Sequence, residues 1–144
     1  MKKVSIYSDG SSLGNPGPGG WGTILRYGKH EKELSGGEAM TTNNRMELRG
    51  VIEGLKALKE PCDVTVYSDS SYVVKAINEW LPAWIARDFK KVKNPELWRE
   101  YLEAAKPHRV KAVWVKGHAG HPENERCDEM ARSRAENYKE QSNG

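Results

Sequence analysis

The stretch 3-KVSIYSDG-10 sets the frame for the whole chain. Val4 and Ile6 alternate with small or polar residues, as in a strand with one buried face, and the pattern stops at the turn pair Asp9-Gly10. The glycine-rich run from Gly10 to Gly20 predicts a tight hairpin loop. Two further strands follow, 21-WGTILRYG-28 and 30-HEKELSGG-37, so strands one to three should form an antiparallel meander. From Asn43 to Lys59 the period becomes helical, with Leu48, Val51, Ile52, Leu55 and Leu58 on one face. A fourth strand, 64-VTVYSD-69, also ends at an acid, and 71-SYVVKAINEW-80 reads as the helix after it. In 94-NPELWREYLEAA-105, Asn94 is the expected N-cap and Pro95 the first helical residue. The last strand is 109-RVKAVWVKG-117. The last helix is 123-ENERCDEMARSRAENYKE-140, with Cys127, Met130, Ala131 and Tyr138 toward the core and a tail that should fray after about residue 138. This order mixes a meander with crossover units. It predicts an α/β protein whose mixed five-stranded sheet, a three-stranded antiparallel meander plus two parallel strands, is flanked by helices.

Size and composition fit that expectation. The 144 residues suit a single domain over 1–144, with 37% apolar and 30% charged residues and no repeat or low-complexity tract. No apolar run is long enough to span a bilayer, and the N-terminus lacks a signal-peptide core. Cys62 and Cys127 make no disulfide framework, so they are expected as buried thiols in the cytoplasm. The net charge of +3 is compatible with a nucleic-acid partner without requiring one. Its distribution says more: Lys75, Arg87, Lys90, Lys91 and Lys93 are interleaved with Trp80, Trp84 and Phe89.

Three acids occupy equivalent places. Asp9 and Asp69 end strands, and Glu47 lies in the first turns of the first helix. If strands one and four are parallel neighbours, both aspartates leave the sheet at its carboxyl edge, where open α/β sheets place their ligands. Asp128, near the start of the last helix, can close the group. Four carboxylates without a cysteine or histidine cage point to a hard divalent cation, Mg²⁺ or Mn²⁺, or to a pair of them. Each acid also has an ordinary explanation. Asp9 and Asp69 suit turns and caps, Glu47 has capping-box spacing to Asn44, and Asp128 favours a helix N-terminus. The segment 115-VKGHAGHPENERCDEMA-131 holds two histidines, a cysteine and four carboxylates, so a zinc site, a hydrolytic dyad and a wet helix turn all stand open.

Four blocks in order, 6-IYSDGSSLGNPGPGGWG-22, 41-TTNNRMEL-48, 66-VYSDSSYV-73 and 114-WVKGHAGHPENERCDEMA-131, resemble the signature blocks of type 1 ribonuclease H. The resemblance runs from about Val4 to Ala135. It implies a ribonuclease H-like fold and Mg²⁺-dependent endonucleolytic hydrolysis of the RNA strand of an RNA–DNA hybrid, leaving 5′-phosphate and 3′-hydroxyl ends. The family's two-ion carboxylates fall on Asp9, Glu47, Asp69 and Asp128, with Mn²⁺ able to substitute. Its mobile histidine falls on His118, where it would assist proton transfer or product departure. No further thiol or imidazole stands at a usable spacing from His118 and His121, so that pair is not a zinc site. His30, His108 and His121 are expected to be structural, and Asn124 and Glu125 to brace the turn.

Reading the 2′-hydroxyl falls, by the resemblance, to Gly10, Ser11, Asn15, Asn43 and Asn44. Thr42 would hold a DNA-strand phosphate at the helix N-terminus, with Asn94 beside it. The segment 80-WLPAWIARDFKKVKN-94 resembles the family's basic protrusion, with Trp80 in the DNA channel and Lys90 and Lys91 on phosphates. It departs by being shorter and less lysine-rich, which should weaken binding and flatten its salt dependence. An amphipathic helix with Trp84 and Ile85 in the core is the other explanation of this segment. Ser71 stands where many members carry a glutamine that contacts substrate, and Val74 where a basic residue would face DNA phosphate. The expected partner is a hybrid duplex, with no membrane and no obligate protein partner, and the chain acting as a monomer. A related-fold DNA nuclease would keep the acids without the TTNNRMEL block, and a non-catalytic hybrid-binding module would lack one of the acids.

Overall fold

The structure, a computed structural model, describes residues 1–117 and 121–143. Strands β1 (Lys2–Ser12), β2 (Gly17–Tyr27) and β3 (His30–Thr41) form the antiparallel meander. Strands β4 (Cys62–Ser68) and β5 (Arg109–Trp114) extend the sheet in parallel from the other side of β1, giving the order β3-β2-β1-β4-β5. The α/β class and mixed sheet expected from the sequence are therefore formed. The register pairs Val4 with Val64, Ile6 with Val66 and Tyr7 with Tyr67; β4 ends at Ser68, while β1 runs on to Ser12 along β2.

The glycine-rich run is less of a loop than its composition suggests. Pairing of β1 with β2 continues to Ser12 opposite Gly19, and Leu13 N–H still donates to Pro18 O at 2.7 Å. The glycines are there because helices press on this strand. A Cβ on Gly22 would stand 2.5 Å from the Cys127 carbonyl oxygen and 2.8 Å from Met130 Cβ. The next residue, Thr23, faces the opposite way and donates to Gly50 O at 2.7 Å. Hence α1 (Asn43–Lys56) and α5 (Pro122–Asn143) lie on opposite faces of the meander.

On the α1 side the core is continuous. Ile6, Leu48, Val51, Ile52, Leu55, Val64 and Val66 are buried, and α4 (Pro95–Ala105) adds Leu97 and Trp98. Trp98 is the hub, with Tyr72, Trp84 and Tyr101 packed edge-on around it at 5.5–5.8 Å. Val74, read from the sequence as standing where a basic residue would face DNA phosphate, is buried in this core. Of the alternative core pair Trp84 and Ile85, Trp84 packs inward while Ile85 is exposed.

Three helical boundaries differ from the sequence reading. α1 stops at Lys56 rather than Lys59, its last carbonyls converging on the Ala57 N–H before Pro61 redirects the chain. The helix expected over 71–80 runs on as α2 (Ser71–Lys75), a π-helical turn (Ala76–Trp80) and α3 (Leu81–Ala86). The π turn directs Asn78 at β5, where its amide bonds both the N–H and C=O of Ala112 at 3.0 and 2.8 Å. That covers backbone of an edge strand which would otherwise be open to pairing. Finally, α5 continues to Asn143, beyond the Glu140 at which the sequence reading ended the last helix. Tyr138 is half-buried, and the face of Gly37 lies against its ring.

Candidate active site

Asp9 and Asp69 stand side by side because β1 and β4 are parallel and in register: Asp9 lies within β1, two residues past its last pairing with β4, and Asp69 follows the end of β4. Glu47 joins them from α1 through a close approach of backbones. Gly10 lies directly against the main chain of Met46 and Glu47, where a Cβ would fall only 2.5 Å from Met46 C. Only glycine permits that contact. The result is a group of carboxylate oxygens from Asp9, Glu47 and Asp69, all within 4.8 Å of one another.

Thr42 Oγ1 caps α1 by accepting from Arg45 N–H at 3.3 Å, so Glu47 is not part of a capping box with Asn44. Asn43 ties the helix start to the hairpin: its Oδ1 accepts from Ser12 N–H at 3.0 Å, and its own N–H donates to Asn15 Oδ1 at 3.2 Å. A cleft of about 500 Å³ opens over the acids, lined by Gly10, Ser11, Asn43, Asn44, Ser71 and Asp128 as well as the three carboxylates. Ser70 and Tyr72 line it too, though neither stood out in the sequence. Their only signal is position, immediately after Asp69.

Asp128 reaches the cleft but stands outside the three-oxygen group, its Oδ2 accepting from Arg132 Nε at 3.0 Å. Convergence of four acids is thus three in contact and one at the rim. Asn94 does not cap α4 through its side chain. It adopts a left-handed backbone (φ 58°, ψ 43°) and uses its amide to accept from Arg45 and donate to Tyr72 Oη. Neither Asn94, Trp80, Lys90 nor Lys91 lines the acidic cleft. Trp80 is half-exposed and tilted against Trp84 at 5.7 Å, while Lys90 and Lys91 are exposed. The chain bends there through left-handed residues Asp88, Phe89 and Lys91, with Phe89 buried and Arg99 over its ring at 5.0 Å. His118 lies outside the described residues. His121 is exposed, and His108 Nδ1 accepts from Cys62 N–H at 3.0 Å.

The first turn of α5 is fastened twice. Glu123 accepts from Arg26 at 2.6 Å, and Asn124 Nδ2 donates to Tyr67 O at 3.2 Å. Arg26 also bonds Glu31, which accepts in turn from Arg126, and these cations hold the Glu31 carboxyl down at about 2.

Burial dominates the electrostatics of the acids. Loss of solvent, with Asp69 and Asp128 nearby, pushes Asp9 up to about 7 against the opposing bonds from Glu47 and Gly10 N–H. Glu47 is raised well above its ordinary range by burial and by the Asp9 charge. Its buried Oε2 receives no hydrogen bond from any described donor, so only a shared proton or a cation can reconcile the pair. Two oxygens on opposite sides of a small divalent ion lie about 4–5 Å apart. The all-oxygen donor set, its spacing and the orphaned Oε2 all fit such an ion, and the group could hold one.

Sheet, helices and acids together define an α/β protein with an oxygen-only carboxylate group, able to hold a cation, at the carboxyl edge of its parallel strands. The RNase H family profile matches residues 1–136. A ribonuclease H from Sulfurovum sp. (strain NBC37-1) is 72% identical over 138 residues, covering 96% of this chain and 94% of that protein. Ribonuclease HI of Helicobacter pylori (strain ATCC 700392 / 26695) is 60% identical over 136 residues, 94% of this chain and 95% of its own. Among solved structures, LC9-RNase H1, described as a type 1 RNase H with the type 2 active-site motif, superposes with a TM-score of 0.87 at 33% identity, covering 96% of this chain and 74% of that one. The chain belongs to the ribonuclease H family, with its type 1 members.

Proposed function

We propose that the protein is an endonuclease that hydrolyses the RNA strand of RNA–DNA hybrids and leaves 5′-phosphate and 3′-hydroxyl ends. The observation that carries this is the three-carboxylate group at the mouth of a cleft walled by backbone and short polar side chains. Asp9, Glu47 and Asp69 would hold Mg²⁺, with Mn²⁺ as a substitute and Asp128 serving from the rim. When bound, the ions supply positive charge for the phosphoryl oxygens and a water that ionises near neutral pH.

Around them the chain's own groups select the substrate. Gly10, Ser11, Asn15, Asn43, Asn44 and Ser71 offer short polar contacts to sugar edges, where a 2′-hydroxyl distinguishes RNA from DNA. Thr42 and Asn94 flank the start of α1 as a DNA-strand phosphate site. Trp80, Lys90 and Lys91, away from the acids, suit the second strand of a duplex whose first strand crosses them. His118 is the proposed proton carrier. No described helix is long and apolar enough to cross a membrane. We place the protein in the cytoplasm, as a single catalytic domain over residues 1–144 that acts as a monomer.

The test is cleavage of a labelled RNA–DNA hybrid beside duplex DNA and duplex RNA, with Mg²⁺ and with chelator. Mg²⁺-dependent cutting of the RNA strand of the hybrid alone is expected. Cutting of duplex DNA would assign a DNA nuclease instead, and binding without cutting would assign a non-catalytic module.

A further inference from the structure

Behind the open cleft, on the α5 side of the acids, lies a separate small compartment of about 10 Å³, lined by Asp9, Asp69, Gly117, Asn124 and Asp128 among others. That is room for about one water molecule. Glu47 lines the open cleft and is not among the described residues of this compartment.

Asn124 is the one carboxamide there among the described residues, and its two ends have different fates. Nδ2 donates to the carbonyl of Tyr67, at the end of β4 and two residues before Asp69. That bond fixes the orientation of the amide, since reversing it would set oxygen against oxygen. Oδ1 is then the remaining end, and it is buried without a hydrogen-bond partner among the described residues. A buried amide oxygen left so costs about 1–3 kcal/mol, and native proteins leave few of them. A pocket of single-water size beside an unpartnered acceptor, with the carboxylates of Asp9, Asp69, Glu125 and Asp128 and the residue Lys116 also on its walls, has the donor demand that a water molecule meets.

We propose that Asn124 is a positioning residue of the acidic site: through Oδ1 it holds one water molecule in this compartment, which gives its second proton to a facing carboxylate of Asp9, Asp69 or Asp128. The bridge explains how Asp128 serves the site while standing outside the 4.8 Å group. A water fills the gap that direct contact of a fourth carboxylate would close at the cost of further repulsion. Asn124 thereby sets the spacing between β4 and α5 with one end and the hydration of the acids with the other.

The kinetic consequence rests on the hydrolase assignment above, whereas the water itself does not. A high-resolution crystal structure of the metal-free protein should show an ordered water within hydrogen-bond distance of Asn124 Oδ1 and of a carboxylate oxygen. A protein donor on Oδ1, or an empty compartment, overturns the proposal whether or not the protein cuts hybrids. In turnover at saturating Mg²⁺, Asn124→Ala should lower kcat by about ten- to a hundred-fold with KM for hybrid within about twofold, the scale of outer-sphere partners. Asn124→Asp lacks the Tyr67 tether but keeps an oxygen on the inner side, and should recover much of that loss. If Asn124 is only a tether, the two variants lose melting temperature alike and Asp rescues nothing. That result, or an unchanged kcat in Asn124→Ala, overturns the positioning role.

Discussion

Replacing Asp9 by Asn should make the metal-free protein more stable while removing one of the three carboxylates proposed to hold the metal. The side chain keeps its size, and Oδ1 can still accept from Gly10 N–H, the bond it makes at 2.9 Å. What disappears is a buried charge beside two other carboxylates. The rise from 3.8 to about 7 in the folded state corresponds, at ~1.4 kcal/mol for each tenfold change, to at most ~4 kcal/mol above pH 7. Glu47 stays buried next to Asp69 after the change, so part of the strain persists, and a gain of ~2 kcal/mol is expected, about 6 °C in melting temperature. The pH dependence has a definite sign. Below 3.8 both folded and unfolded chains hold the proton, and Asn confers no advantage. Between 3.8 and about 7 the unfolded chain ionises first, so wild-type stability falls as pH rises; above 7 the deficit is complete. Thermal melts in chelator at pH 4.5 and pH 8 measure this directly. Added Mg²⁺ should raise the wild-type melt by binding the folded state only, and should raise that of Asp9→Asn far less. A gain equal at both pH values, or none at pH 8, would refute repulsion among buried acids as the cause.

Gly10→Ala should cost about 3 kcal/mol or more, because its Cβ meets helix backbone that cannot step aside; an unchanged melt would show that α1 can retreat. Arg26→Ala removes the cation on Glu123 and the second cation on Glu31, which Arg126 still holds; both carboxyls lie below their usual range, so the penalty should be full at pH 7 and fade as acid protonates them. A penalty independent of pH would mean that Arg26 acts by packing over the Tyr7 ring instead. Lys90→Ala with Lys91→Ala should lower the slope of log affinity against log salt by up to ~1.8, about 0.9 for each phosphate no longer neutralised, and an unaltered slope would remove both lysines from the hybrid interface. Asn43→Asp should leave melting within about 0.5 kcal/mol while weakening hybrid binding at least tenfold. Equal binding by the two proteins would take Asn43 off the substrate.

What the sequence made legible was whatever depends on spacing alone. Alternation in 3–8 and 64–69 identified two parallel strands that carry Asp9 and Asp69 to one edge, although β1 runs past Asp9 to Ser12, and the helical period after Asn43 delivered Glu47 to the same edge. What it concealed depends on atoms outside the local pattern. Gly10 reads as a turn residue, yet β1 runs straight through it, and its function is to admit the backbone of α1. Asn94 has cap composition and cap position, yet Arg45 and Tyr72 claim its side chain and the backbone bends left-handed. The π turn around Asn78 has no periodic signature, since its reason is the exposed backbone of Ala112 more than thirty residues away. Asp128 was legible as the fourth acid, but not its place at the rim rather than in the three-oxygen group, which the seat of α5 on the glycines of β2 sets.

The same seating limits how a hybrid can be recognised. Asn43 commits its carbonyl oxygen to Ser12 N–H and its backbone N–H to Asn15, and Asn15 commits its own carbonyl oxygen to that bond. In the proposed hybrid contact both side chains would therefore offer their Nδ2 groups, as donors. A ribose 2′-hydroxyl can accept from such a donor, and a deoxyribose offers no oxygen at that position. Sugar discrimination then comes from amide donors whose orientation the protein has already fixed through the opposite end of each amide. This is why Asn43→Asp separates folding from recognition: it retains the oxygen that holds the hairpin to α1 and removes the donor that would meet the RNA strand. On this reading the junction of hairpin and α1 contributes rigidity through the acceptors of Asn15 and Asn43 and specificity through their donors.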